Sequence, residues 1–161
     1  MTGVALVAAG CGDDPEPETL PTFTGSPSAS ASDAKGAVEA AYRAYEDATE
    51  DMAASGNPDP AQLRPYATQE RAQEDAENLA ILFDQDFRIV GTTTIDVRSV
   101  TVTGEEAVVE ACIDASKWIT VKKGESPEPG ETGQSPGLAR VQLVQQDERW
   151  LVSKSTDAGT C

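Results

Sequence analysis

The sequence predicts an α+β domain in which three N-terminal helices pack on one face of a four-stranded antiparallel sheet. Three observations lead there. Prolines are absent from the spans 89–121 and 138–161, and proline is excluded from helix interiors and central strands. Apolar residues recur every three to four positions as far as Phe83 and then every two positions after Asp86. Residues 33–161 are also numerous enough to bury one core.

The first helix is expected from about Ala34 to Ala54, with Asp33 as its cap. Val38, Ala41, Tyr42, Tyr45, Ala48 and Met52 share one face. Glu39 and Arg43 stand four apart in the favourable order. Ser55-Gly56-Asn57-Pro58 ends this helix. Asp59-Pro60 then opens a short second helix leading to Leu63 and Tyr66. Thr68 caps a third, running through about Phe83, with Ala72, Ala76, Leu79, Leu82 and Phe83 inward.

In the strand region Ile95 and Val97 share one face, while Val100 and Val102 have the opposite parity. A change of parity inside one strand implies a bulge near Arg98–Ser99. Thr103-Gly104-Glu105 makes a tight turn. A second strand is expected from about Ala107 to Val121, followed by a long polar loop, Lys122–Gly137. Leu138–Gln146 and Trp150–Ser155 read as a final hairpin through Asp147-Glu148.

Composition excludes several functions. The 161 residues include 28 Asp+Glu, 12 Lys+Arg and no histidine, for a formal net charge of −16. A chain so acidic offers no basic stripe for a phosphate backbone, so nucleic acid is not an expected partner. Without histidine there is no imidazole base and no histidine-containing metal site. No apolar run reaches the roughly 18 residues that span a bilayer.

The amino end reads MTGVALVAAGC, and Ala8-Ala9-Gly10-Cys11 resembles a bacterial lipobox. The resemblance implies that residues 1–10 belong to a signal segment and that the Cys11 thiol carries a diacylglyceryl group. No Lys or Arg precedes the short apolar stretch, so part of the signal is expected upstream of Met1. Residues 12–32 carry Asp13, Asp14, Glu16, Glu18 and Pro15, Pro17, Pro21 and Pro27, with no basic residue. Such a segment buries too little apolar surface to fold. With Cys11 it forms a tether, 11–32, spanning roughly 25 Å as a coil or about 65 Å in polyproline form. The implied location is extracytoplasmic, on the outer leaflet of the bacterial cell membrane.

The order of elements resembles the nuclear transport factor 2-like superfamily, the curved-sheet cone also used by ketosteroid isomerases and SnoaL-type cyclases. More narrowly, it is similar to small secreted actinobacterial lipoproteins built on that cone. The residues carrying the resemblance are Ala41-Tyr42-Arg43-Ala44-Tyr45, Gly91, Glu110-Ala111-Cys112-Ile113-Asp114, Trp150-Leu151-Val152 and Cys161. With Cys11 assigned to lipid, Cys112 and Cys161 remain, and an even remainder in an exported domain reads as a disulfide. The cone brings their two regions within bonding distance. The bridge would close 49 residues, a contribution of about 4 kcal/mol by chain-entropy arithmetic.

Cone enzymes work between sheet and helices, with an Asp or His as base and Tyr or Asp at the oxyanion. This chain can offer Tyr42, Tyr45, Tyr66, Asp96 and Asp114, but no motif matches the isomerase sites. The expected pocket residues are Tyr42, Tyr45, Tyr66, Phe83 and Trp118. The acidic run Glu46-Asp47-Ala48-Thr49-Glu50-Asp51 lacks calcium-loop spacing and reads as a solvated helix face. No cofactor or metal is expected. The leading expectation is therefore a lipid-anchored, non-catalytic module binding an envelope protein or a small apolar ligand. The alternatives are an isomerase or dehydratase using a Tyr/Asp pocket, and a module that homodimerises through its sheet face.

Overall fold

In α1 (Ala31–Ser55), Val38, Tyr42, Tyr45, Met52 and Ala53 form the buried stripe. Their spacing puts them on one side of a 3.6-residue helix. The computed structural model describes residues 31–161. Cys11, the signal segment and tether residues 12–30 lie outside the described residues. The helix starts before Asp33, which sits in its first turn instead of capping it. Gly56, at φ 67°, ends the helix with its N–H on the Ala53 carbonyl at 3.3 Å.

The expected second helix is a single 3₁₀ turn, Pro60–Gln62, so the domain has two α-helices and not three. Asp59 caps the turn by accepting from the Ala61 N–H at 2.9 Å. The physical reason it stops is Pro65, which has no N–H to bond back to residue 61 and disfavours helix in the residue before it. Ala67 forms a parallel bridge with Val152. The Thr68 N–H donates to the Val152 carbonyl, and the Val152 N–H donates to Tyr66, both at 2.9 Å. Thr68 then caps α2 (Gln69–Asp84). The buried face of α2 is Ala72, Asp75, Ala76, Leu79 and Phe83.

Six strands follow: β1 (Phe87–Val90), β2 (Thr94–Thr103), β3 (Glu106–Asp114), β4 (Ile119–Lys122), β5 (Gly137–Gln146) and β6 (Arg149–Thr160). Four of them form the main antiparallel sheet in the order β2-β3-β5-β6. β1 and β4 pair separately, with Phe87 opposite Lys122 and Val90 opposite Ile119. The single long strand expected from Ala107 to Val121 is therefore cut. The Asp114 carboxylate accepts the Ser116 N–H at 2.9 Å, and the Trp118 N–H returns to the Ala115 carbonyl at 3.0 Å. These local bonds turn the chain out of the main sheet. Gly91, at φ 91°, closes β1; a Cβ there would collide with the Lys117 carbonyl.

The bulge lies where the parity change placed it: Val97 pairs with Ala111, Ser99 with Glu110, and Arg98 is the extra residue. The β2–β3 turn uses Gly104 at φ 62°. The β5–β6 turn puts Asp147 and Glu148 at φ 48° and 63°, the left-handed pair that matches strand twist. The inner sheet face supplies Val109, Ala111, Val141, Leu143 and Val152 to a core shared with Val38, Tyr42, Met52 and Ala72. The outer face carries a polar row across all four strands, Ser99, Glu110, Arg140 and Thr156. Arg140 pairs there with Glu110 at 2.7 Å.

Cys112 and Cys161 stand at disulfide distance, with Cα atoms 5.8 Å apart. The bridge runs from β3 to the residue after β6, across the intervening β5, and holds a carboxyl end that would otherwise fray. Cys112→Ala together with Cys161→Ala is expected to lower stability by up to about 4 kcal/mol, read as a lower urea midpoint, with a steeper slope as the unfolded chain loses its cross-link. Gly91→Ala is expected to cost at least about 1–2 kcal/mol from its left-handed backbone alone. The collision with Lys117 adds to that, and thermal unfolding measures the sum.

Candidate functional site

A cavity of about 570 Å³ opens between α1, the end of α2, the β1–β4 pair and the loop 123–136. The loop is held at both ends. The Lys123 N–H donates to the Asp86 carbonyl at 2.7 Å, and the Gly133 N–H to the Ser116 carbonyl at 2.8 Å. Gly133 is required at that approach, because a Cβ there would strike the Ala115 and Trp118 carbonyls. Leu82, Ile89, Trp118 and Ile119 give the cavity apolar walls, while Glu46, Glu50 and Glu131 bring carboxylates to it.

Glu46 and Glu50 reach the cavity because they continue the ridge Val38–Tyr42 at four-residue steps. Glu50 accepts both the Thr93 N–H and the Thr93 hydroxyl, each at 2.6 Å, and so ties α1 to the β1–β2 connection. Glu46 is half-buried. Its carboxyl is pushed up to about 7, first by burial and further by the charges of Asp75 and Glu50, with Tyr42 and Arg71 acting the other way. The Tyr42 hydroxyl is fully buried and has no partner in normal hydrogen-bond geometry. Burial, and then the neighbouring Glu46 charge, hold it firmly protonated.

Behind this ridge a polar cluster joins the helices. The Tyr45 hydroxyl donates to Asp75 Oδ2 at 2.6 Å. Arg71 Nε donates to the same oxygen at 2.9 Å and to the Tyr45 oxygen at 3.1 Å. Arg71 Nη2 pairs with Asp75 Oδ1, which makes the contact bidentate. Asp75 is 8% exposed, and burial raises its pKa against the opposing effects of Tyr45 and Arg71. Burial likewise raises that of Tyr45.

Of the five aromatic residues singled out by sequence, Trp118 alone lines the cavity. Tyr42 and Tyr45 lie beneath it in the core. Tyr66 is half-buried at the junction with β6, where its carbonyl takes the Val152 N–H. Phe83 is buried under the Arg88 guanidinium, 4.8 Å from its ring centre. The acidic run is divided. Asp47 and Asp51 are exposed, but Glu46 and Glu50 turn inward, so it is not one solvated face. The missed signal was their spacing from Tyr42. Asp114 caps its own turn, and Asp96 is exposed and paired with Arg98. Among the described residues no acidic cluster converges closely enough to hold a metal ion.

No protein-family model and no curated protein sequence matches this chain. Among solved structures, it is similar to the intermembrane space region of the chloroplast protein ARC6, at 13% identity and a TM-score of 0.54. That likeness covers 78% of this chain and 97% of the other, and it shows a shared fold alone. A second solved structure, the protein named Rd1NTF2_05 with five substitutions, matches at 10% identity with a TM-score of 0.45, covering 74% of this chain and 98% of its own. The second likeness is too loose to assign a fold.

Two outcomes test the site's internal electrostatics. Asp75→Ala leaves Arg71 and Tyr45 without their acceptor and is expected to cost about 3–5 kcal/mol in chemical denaturation. Glu46 has a folded pKa raised from 4.5 to about 7. Its contribution is therefore fully present below about pH 4.5 and lost as pH rises through about 7. Glu46→Gln is expected to remove a stability decline on the order of 2–3 kcal/mol between pH 4 and pH 8. Parallel pH profiles of the two proteins would read this directly.

Proposed function

We propose that this chain is a lipid-anchored, non-catalytic binding module of the bacterial cell envelope, a nuclear transport factor 2-like cone that takes a small ligand between sheet and helices. The observation that carries the binding part is the cavity itself. At about 570 Å³ it lies in the size range of small-molecule sites, and it combines an indole and aliphatic walls with a few polar groups. The anchoring part rests on the lipobox-like Ala8-Ala9-Gly10-Cys11, on the acidic proline-containing segment after it, and on a paired Cys112–Cys161 of the kind oxidising compartments favour. No helix among the described residues is long and apolar enough to cross a membrane. A lipid on Cys11 would be the attachment to the outer leaflet.

A second reading, an isomerase- or dehydratase-type enzyme, is favoured by Glu46, whose pKa near 7 suits a general base. It lacks the Tyr/Asp pair expected of it. Tyr42 and Tyr45 are beneath the cavity and Asp96 and Asp114 are engaged elsewhere. Homodimerisation through the sheet face finds a charged row, Glu110 and Arg140, where an apolar patch would be needed.

Growth with a radiolabelled fatty acid tests the anchored module. The wild-type chain is expected to take up label and fractionate with membranes, and Cys11→Ser to lose both. Label retained by Cys11→Ser would overturn the anchor.

A further inference from the structure

We infer that the cavity under the loop 123–136 binds a small organic ammonium ion, with Trp118 against its hydrocarbon and cationic surface and Glu46 and Glu131 as counter-charges. This deepens the binding reading above and rests on it.

Charge is the first argument. Three carboxylates line the cavity and no Lys or Arg does. None of the three takes part in an ion pair among the described residues, whereas Glu39, Glu74, Asp75, Asp96 and Glu110 all do. An anionic ligand would be repelled here, and a wholly apolar one would strip water from carboxylates and return nothing.

The second argument is a buried donor facing Glu46. The Tyr42 hydroxyl is wholly buried, makes no hydrogen bond of normal geometry, and has the Glu46 carboxyl as its hydrogen-bonding neighbour. A donor in that place is positioned for an ionised Glu46. Without a bound cation that ionised form is disfavoured, first because burial strips its hydration and then because the charged groups around it are largely of its own sign. Glu50 on α1, Asp75 on α2 and Glu131 on the loop are acids. Arg71 is the basic group of the set and is already bonded to Asp75 and Glu74.

The third argument is size. The carboxylates do not converge to coordinate a metal ion, so a point charge cannot satisfy them together. An ammonium ion carrying carbon substituents is several ångströms across and can meet carboxylates from α1 and the loop while resting on an indole. Indole is the best of the aromatic faces for a cation.

Binding is then linked to protons. A bound cation favours ionised Glu46, so the proton leaves as the ligand enters. Affinity is expected to rise about tenfold from pH 6 to pH 8, the change in ionised fraction of a carboxyl titrating near 7.

The test titrates the full chain with n-butylammonium and tetraethylammonium, and with n-pentanol and n-butyrate as neutral and anionic counterparts. Calorimetry and Trp118 fluorescence are the readouts. Both cations are expected to bind, with the pH dependence above and with proton release in buffers of different ionisation enthalpy. The anion is expected not to bind. Glu46→Gln should weaken the cations at least tenfold at pH 8 and flatten the pH dependence. Glu131→Gln, on an exposed loop residue, should weaken them severalfold without changing thermal stability. If n-pentanol binds as well as the cations and is insensitive to both variants, the cavity is a ligand site but the ammonium assignment is overturned. If no probe binds, the binding reading falls with it.

Discussion

The cavity depends on the turn at Asp114–Trp118, where the chain leaves the main sheet. Two segments meet its backbone. Gly91 ends β1 against the Lys117 carbonyl, and Gly133 brings the long loop onto the Ala115 and Trp118 carbonyls. Each approach is closer than any side-chain-bearing residue permits. Because β4 then pairs with β1 instead of extending β3, the space between that small ribbon and α1 stays open. Trp118 is carried to its edge by the same turn.

The energetics of α1 divide along its length. Its first half buries Val38 and Tyr42 against the sheet in the ordinary way. From Tyr45 onward the buried side also carries ionisable groups. Tyr45, Asp75 and Arg71 satisfy one another, so their desolvation is offset by short charge-assisted bonds. For Glu46 the opposing effects of Tyr42 and Arg71 do not offset burial, and its carboxyl responds by holding its proton near neutral pH. In a chain this acidic, with formal charge −16, the carboxyl of Glu46 thus stands where a cavity can supply a partner.

Much of the architecture was legible in the residues. Period-four and period-two patterning separated helices from strands. The parity change between Val97 and Val100 located the bulge at Arg98. Cysteine arithmetic, taken with the lipobox resemblance, paired Cys112 with Cys161. The misread elements share a cause. Pro60 marks a helix start, but Pro65 removes the room to continue it, leaving one 3₁₀ turn. Ala107 to Val121 reads as one strand, and the local bonds of Ser116 N–H to Asp114 and Trp118 N–H to the Ala115 carbonyl break it. The cavity residues were harder still, since Glu46 and Glu50 resemble solvated acids in composition and differ from Asp47 and Asp51 by helical phase alone.

By itself, the sequence determined the α+β class, the hairpins and their turns, the inward apolar stripe of each helix, and the strongly acidic character of the chain. These follow from local periodicity, turn chemistry and net charge, which need no knowledge of what packs against what. Tertiary structure alone decided that β1 and β4 form their own ribbon, that Gly91 and Gly133 touch one turn, and that two glutamates of a charged run face a cavity. Those outcomes depend on contacts between segments distant in the chain, and their energies are set by burial that no local pattern records.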